Sequence, residues 1–515
     1  MNSPHLDFDA RFPLELLGQF AKKTPEAPCL TFYEETFSFA QLDAASDRLA
    51  AALADRSVKA GDRVAILAPS SPAFYELFFA CGKIGAIMTP INARLSAREV
   101  AAILADSKPV LMLIDSALMP LLGDAADTPD LVLLDSSYRA WRDAARDMPP
   151  HRDALTDDII LLLYTSGTTG KAKGVPISQR NMLSVDRTAS KMWGFSDHSV
   201  NLVAMPLFHI GGMGYGLMAL SQGGHSILLD TLEPDAVISA MRRYAVTHAF
   251  FVPAVIQRLV EHVEHGGHSV ASLQRLIYGA SPISENLLLR AIAAFSCAFN
   301  HAYGMTETAG TVITLAPEDH DPGGPRAARL RSCGRAMPWA EIVLVDPATG
   351  HPVSVGEVGE IRVRGDMTTN GYWQKPDETD AAITHDGWFC TGDAALQDAD
   401  GYFYIHDRYK DMIISGGENV YPAEVENALA DHPAIAEVAV IGVPHAKWGE
   451  TPRAYVVASV GADIDEATAI AFAREQLAHY KCPTSVAIVD ALPRNASGKV
   501  LKQELRAMAD REARI

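Results

Sequence analysis

Residues 164–174 read YTSGTTGKAKG, which sets three glycines, four small hydroxyl side chains and two lysines inside eleven positions. Backbone N–H groups freed by glycine, hydroxyl donors and an ammonium are the groups that hold polyphosphate oxygens. The best-known nucleotide loop, G-x-x-x-x-G-K-[ST], does not fit. With Gly170–Lys171 as its G-K pair it needs a glycine at 165 and a hydroxyl at 172, where this chain has Thr165 and Ala172. Further on, Thr306–Glu307 stands in HAYGMTET (301–308), Asp393 closes GWFCTGD (387–393), Arg408 and Lys410 fall in DRYKD, and Lys499 ends LPRNASGK. A lone carboxylate could share a divalent ion with phosphate oxygens. A lysine in a polar loop could neutralise two reacting anions at once. Taken singly, each has an ordinary reading: a turn residue, a core tyrosine or a solvated charge.

The elements that must carry these groups alternate. Ser38 and Gln41 have capping-box spacing ahead of Leu42, Ala45, Leu49 and Leu53, which repeat at helical intervals. RVAILAP (63–69) and AIMTPIN are short apolar strands on either side of a helical AFYELFFACGKIG. DDIILLLY (157–164) is a buried-strand signal running into the glycine-rich loop. Met182, Val185, Ala189 and Met192 mark a helix after it, so the expectation is strand, glycine-rich turn, helix, with backbone donors facing an anion. Beyond residue 330 the texture turns to hairpins with Gly and Pro turns. From about 411 a compact α+β unit follows.

The chain has 515 residues, too many for one core, so at least two domains are expected. A net charge of −19 argues against a nucleic-acid partner. Six scattered cysteines suggest neither disulfides nor a zinc site. The acidic, interrupted N-terminus does not read as a targeting peptide, and no run is long enough to span a membrane, so a cytoplasmic location is expected.

Six segments in order carry a family resemblance: YTSGTTGKAKGV, MPLFHIGG (205–212), HAYGMTET, GWFCTGD, DRYKDMIISGGENVYPAEVE (407–426) and LPRNASGK. Together they resemble the adenylate-forming superfamily of acyl-CoA synthetases, adenylation domains and luciferase, in its acid–CoA ligase branch. The resemblance runs from about residue 12 to 508. It implies an α/β fold with a large N-terminal domain of layered α/β subdomains and a β-rich part (1–409). A small mobile α+β domain (410–515) would turn about Lys410. ATP, Mg²⁺ and coenzyme A are the implied cofactors.

By resemblance, Thr165, Ser166, Gly167, Thr168, Thr169, Gly170 and Lys171 hold ATP phosphates, with Thr168 a further metal candidate. Gly279, Ala280 and Ser281 line the adenine pocket. Tyr303 stacks on the base beside Gly304. Thr306 meets phosphate, and Glu307 binds Mg²⁺. Asp393 takes the ribose hydroxyls, and Arg408 lies near ribose and phosphate. Lys499 reaches the reacting carboxylate and α-phosphate. Gly416, Gly417 and Trp448 form the CoA face. Lys481 remains in HYKCPTS, but Cys482 and Thr484 stand where relatives often carry basic residues for CoA phosphates. His209, Ile210, Gly211, Gly212, Tyr278 and Met305 face the acid, and the small residues of GGMGYG (211–216) suggest a roomy pocket.

The expected activity is ATP-dependent ligation of a medium-size aliphatic or aromatic acid to CoA, through an acyl-adenylate. The alternatives are an acyl-AMP ligase loading a carrier-protein thiol, a luciferase-like oxidative enzyme and an inactive nucleotide-binding protein. Small molecules are the expected partners, with a homodimer left open.

Overall fold

The computed structural model describes residues 13–123, 129–145, 155–166, 172–266, 270–415, 418–445, 447–494 and 499–512. The fold is mixed α/β, with a large N-terminal domain and a smaller C-terminal one. Two parallel-dominated sheets form the body of the large domain. One has six strands, and its central members Arg63–Leu67 and Ile87–Ile91 are parallel, with the strand Ile159–Ser166 beside them. The other has nine strands. It carries Arg275–Gly279 parallel to Ala298–Met305 and then turns antiparallel into Gly310–Leu315. Helices cover both sheets, as buried parallel strands require.

Local sequence explains the joints. Ser38 and Gln41 form the expected reciprocal capping box at the helix Phe39–Asp55. The helix Pro72–Ile84 opens on proline and closes on Gly85 at φ 73°, a left-handed position that glycine tolerates. One core runs through these layers, with Phe39, Phe74, Phe78, Phe251 and Phe299 all fully buried.

The β-rich part is a four-stranded antiparallel sheet that includes Val358–Arg364, Phe389–Gln397 and Phe403–Arg408. The smaller domain has its own sheet and core. Ile435–His445 pairs with Gly449–Ala458 over the helices Pro422–Ala430 and Glu466–Gln476.

One expected joint differs. The chain does not pass from the glycine-rich turn straight into a helix. Ile159–Ser166 returns as Ala172–Ser178, an antiparallel partner, and the helix Gln179–Arg187 begins only after it, capped by Ser178. The two strands that flank the loop are therefore a hairpin, and the helix that follows starts one strand later than expected. Lys173, Gly174 and Pro176 hid this second strand in the sequence.

Candidate functional site

The hairpin delivers its loop between fixed rails. Thr165 pairs with Lys173 and Ser166 with Ala172. Gly167, Thr168, Thr169, Gly170 and Lys171 lie outside the described residues, as do Gly416 and Gly417. The strand leaving the loop is pinned from outside. Trp373 N–H donates to Gly174 O at 2.8 Å, and Lys173 Nζ pairs with Glu378 at 2.7 Å.

The neighbouring strands bring the nucleotide candidates together. Gly279 lies beside Ala302, and a Cβ there would stand 3.0 Å from the Ala302 carbonyl carbon and nearer still to its oxygen. Only glycine allows that approach. Ala280 follows at φ 64°, turning the chain toward Ser281. Tyr303 donates its hydroxyl to Asp393 Oδ2 at 2.7 Å. Burial, and then the Asp393 charge, push the phenol well above its ordinary range, so it stays a donor at neutral pH. Asp393 pairs with Arg408 along the backbone of the β-rich sheet. Residues 303 and 393, ninety positions apart in sequence, thus meet through their side chains, and 408 lies beside 393 on the neighbouring strand.

After Gly304 the chain makes a short 3₁₀ turn, Thr306–Thr308. Thr308 Oγ1 locks it, taking Met305 N–H at 3.1 Å and lying 2.7 Å from Gly310 O. Glu307 sits on this turn, with Tyr372 donating its hydroxyl to Oε1 at 3.0 Å and Thr369 N–H bonding its carbonyl at 2.8 Å. Oε2 takes no partner among the described residues. No group of three or more His, Cys, Asp or Glu gathers among the described residues. A metal here would rest on one protein carboxylate, with phosphate and water oxygens completing its shell. That donor set fits Mg²⁺ and does not fit zinc.

On the acid side, His209 caps the helix Ile210–Ser221 and stacks obliquely on Phe208. Its Nε2 is sealed and unpartnered. Burial, reinforced by the Arg94 charge, lowers its pKa to about 4, so the imidazole is neutral at working pH. The small residues that follow do not make an open pocket. A Cβ on Gly212 would sit 2.7 Å from Met205 O, one on Gly214 would sit 3.2 Å from Ile210, and Gly216 admits the Tyr75 hydroxyl. Their smallness is consumed by packing. Gly211 faces the Phe250 ring at 3.3 Å, and Phe250 lies tilted against Tyr215, 5.5 Å ring to ring. Tyr278 is core: 1 % exposed, with its hydroxyl 3.0 Å from His320 Nε2. Its backbone, not its phenol, is what can line a site.

This arrangement, a Tyr–Asp pair and a lone Glu whose turn lies against the strand Ala172–Ser178, has known counterparts. Residues 17–373 match the family described as AMP-binding enzyme, and residues 424–499 match its C-terminal domain. The chain belongs to the AMP-binding enzyme family. Among its relatives, a feruloyl-CoA synthase from Amycolatopsis sp is 38% identical over 94% of this chain and 96% of its own. The fatty acid–[acyl-carrier-protein] ligase ScoC of Streptomyces coeruleorubidus is 36% identical over 94% of each. ATP-bound MatB from Rhodopseudomonas palustris superposes with a TM-score of 0.89 at 31% identity, over 96% of this chain and 98% of that one. This AMP-binding enzyme is an AMP-forming acid–CoA ligase that uses ATP and CoA.

The enzyme's smaller domain carries the remaining candidates. Trp448 is 42% exposed at a hairpin end, with Lys447 Nζ 4.5 Å from its ring centre, so it is not the core tryptophan its type would suggest. Ser415 pairs with Gly449, which sets Trp448 beside the strand that enters residues 416–417. Lys481 is tied to Glu424 at 2.6 Å, and Cys482 is buried. The segment expected to meet CoA phosphates therefore presents one cation already engaged by an acid. Lys410 stands in a 3₁₀ turn, Tyr409–Asp411, rather than in an open linker. Lys499 is exposed on a loop closed by Leu501 N–H to Pro493 O at 2.8 Å.

The sequence reading missed Lys173, Thr369 and Tyr372. Lys173 stood in the 164–174 run without a role of its own, and the signal for Tyr372 was the aromatic pair in NGYWQKPDET, a polar stretch with no periodicity to mark it. No helix among the described residues is long and apolar enough to cross a membrane.

Proposed function

We propose that this acid–CoA ligase acts on a medium-size carboxylic acid, with an aromatic body favoured over an aliphatic one. The observation that carries the acid class is the wall made by Gly211, Phe250 and Tyr215, with Phe195 behind Tyr215 at 6.1 Å. These rings are buried in this structure, and a flat acid packed against them on binding would gain more than acetate could. The feruloyl-CoA synthase relationship supports this reading, and ScoC keeps a fatty chain as the second option.

In this reading the loop hydroxyls at 165, 166, 168 and 169, with Lys171, hold the β- and γ-phosphates. Asp393 takes the ribose and Tyr303 lies against the base. Glu307 would hold Mg²⁺, which when bound neutralises phosphate charge. Lys499 approaches the acid carboxylate and the α-phosphate together. A carboxylate oxygen attacks the α-phosphorus, the bond to the bridging oxygen breaks and pyrophosphate leaves. Stabilising the charge that develops is the main contribution such donors make. The domain then turns about residue 410, the boundary between 1–409 and 410–515. Lys499 withdraws, and the face bearing Gly416, Gly417 and Trp448 presents the thiol. Its sulfur attacks the acyl carbon, and AMP leaves. We place the enzyme in the cytoplasm.

The test is pyrophosphate release over a panel of aromatic, medium-chain and short acids, with CoA, with a carrier protein and with neither. The expected result is the highest kcat/KM for aryl acids, with CoA required for turnover. Preference for acetate overturns the acid class. Turnover only with the carrier protein overturns CoA as the acceptor.

A further inference from the structure

The segment 366–378 belongs to none of the motifs, yet it touches two of them and the strand and helix that follow the first. Asn181 Nδ2 donates to Asp366 O and Thr368 O at 2.7 and 2.9 Å. Thr369 Oγ1 donates to Pro176 O at 2.8 Å, on the strand that leaves the phosphate loop. Thr369 N–H holds the Glu307 carbonyl, and Trp373 N–H holds Gly174. Tyr372 itself is fixed by its own N–H on Thr379 Oγ1 at 2.9 Å. Its ring is approached by Lys173 Nζ at 4.8 Å, and its hydroxyl reaches Glu307 Oε1 at 3.0 Å.

We propose that Tyr372 is the positioning residue of Glu307. It anchors one carboxylate oxygen so that the other is committed to the metal, and it ties that carboxylate to the phosphate-loop hairpin through Lys173. Glutamate on a three-residue turn has free side-chain torsions, and nothing on the turn itself restrains them. A phenol donating to a carboxylate is a charge-assisted bond, among the stronger ones available. Because the ring is placed by backbone bonds to both the turn and the hairpin, the carboxylate and the phosphate-binding loop are held in one frame. Metal and phosphate oxygens must meet in that frame. Packing alone would explain the ring; it would not explain the hydroxyl aimed at Glu307.

This inference rests on the assignment of Glu307 to the metal, and the experiment separates the two. The variants are Tyr372→Phe, Glu307→Gln and the double change. Half-saturating Mg²⁺ is read from pyrophosphate release, and Mn²⁺·ATP binding is followed by Mn²⁺ electron paramagnetic resonance without acid. Binding of ATP in EDTA is the control, and melting temperature checks the fold. For Tyr372→Phe the expected result is about a tenfold rise in both metal constants, the loss of one charged hydrogen bond, with metal-free ATP binding unchanged. In the Glu307→Gln background the same change should add nothing. If Glu307→Gln weakens metal binding and Tyr372→Phe does not, the positioning role is wrong and the metal assignment stands. If Glu307→Gln leaves metal binding unchanged, the metal assignment falls, and this inference with it.

Discussion

Substituting alanine for Gly304 should separate the fold from the chemistry. Gly304 pairs with Thr311 and Met305 with Gly310 as the strand enters the Thr306–Thr308 turn. A Cβ at 304 would lie 2.6 Å from the Gly310 carbonyl carbon and 2.9 Å from Thr311 Cα, with the Gly310 oxygen nearer still. Carbon atoms settle at about 3.5–4.0 Å, so the two strands must part by about 1 Å. The obstacle is backbone, which cannot rotate away as a side-chain tip could. Thr306 and Glu307 ride on the turn between these strands and move with it. Misplacing catalytic groups by about 1 Å costs roughly 100-fold in rate, or about 2.7 kcal/mol. Overpacking should remove about 1–3 kcal/mol of stability, which a domain of this size tolerates. The assay is the initial rate of pyrophosphate release at saturating Mg²⁺ and ATP, beside a thermal melt. Gly18→Ala is the control, since no atom lies within 4 Å of its Cβ; it should leave the rate unchanged. A Gly304→Ala enzyme within threefold of the parent rate would refute the claim that this close approach sets the position of the turn.

Lys499→Ala should lower adenylation by about two to three powers of ten, from roughly 3–4 kcal/mol of lost charge stabilisation. It should spare thioester formation from synthetic acyl-adenylate and CoA, and loss of both half-reactions alike would contradict its assignment. Trp448→Ala should raise KM for CoA about tenfold while the CoA-independent pyrophosphate burst stays unchanged; an unaltered KM would remove Trp448 from the CoA face. Acid should destabilise the fold through His209, His225, His248, His301 and His320, each lowered by burial from 6.5 to about 4. A depressed pKa means the folded state binds fewer protons. The stability is therefore complete above about pH 6.5 and is lost as pH falls toward 4, by up to about 1.4 kcal/mol per unit for each histidine. A melting temperature that is flat from pH 7 to 4.5 would refute this.

The candidate site was legible as a proposal because the family's motifs set rare residue types in fixed order. Tyr303, Glu307 and Asp393 were named through the family resemblance that their motifs carry in order, and the 164–174 run through its density of glycines, hydroxyls and lysines; the structure places the Tyr303 hydroxyl on Asp393. The capping box at Ser38 and the hairpins after 330 were readable because local hydrogen bonding and turn chemistry decide them. The strand Ala172–Ser178 was not, since its pairing with Ile159–Ser166 is what makes it a strand, and its own residues include a proline and a glycine. The 211–216 glycines misled for a related reason. A glycine looks the same whether it borders a cavity or a neighbour, and here Met205, Ile210 and Tyr75 supply the neighbours. Tyr372 was missed because its partner, Glu307, is 65 positions away.

The strand Phe403–Arg408 pairs through its last residue with Asp393 and then enters the turn that holds residue 410. His406 on that strand lies 5.0 Å, ring to ring, from Tyr421 at the start of the smaller domain's first helix. A ligand that pulls on Asp393 therefore pulls on a strand whose far neighbours belong to the other domain. Thermodynamic reciprocity follows: whatever factor the nucleotide applies to the balance of domain orientations, the orientation applies to nucleotide affinity. In the proposed cycle, once pyrophosphate has gone, the grip on AMP and the readiness to rotate would be two readings of a single coupling, carried along six residues of β-strand.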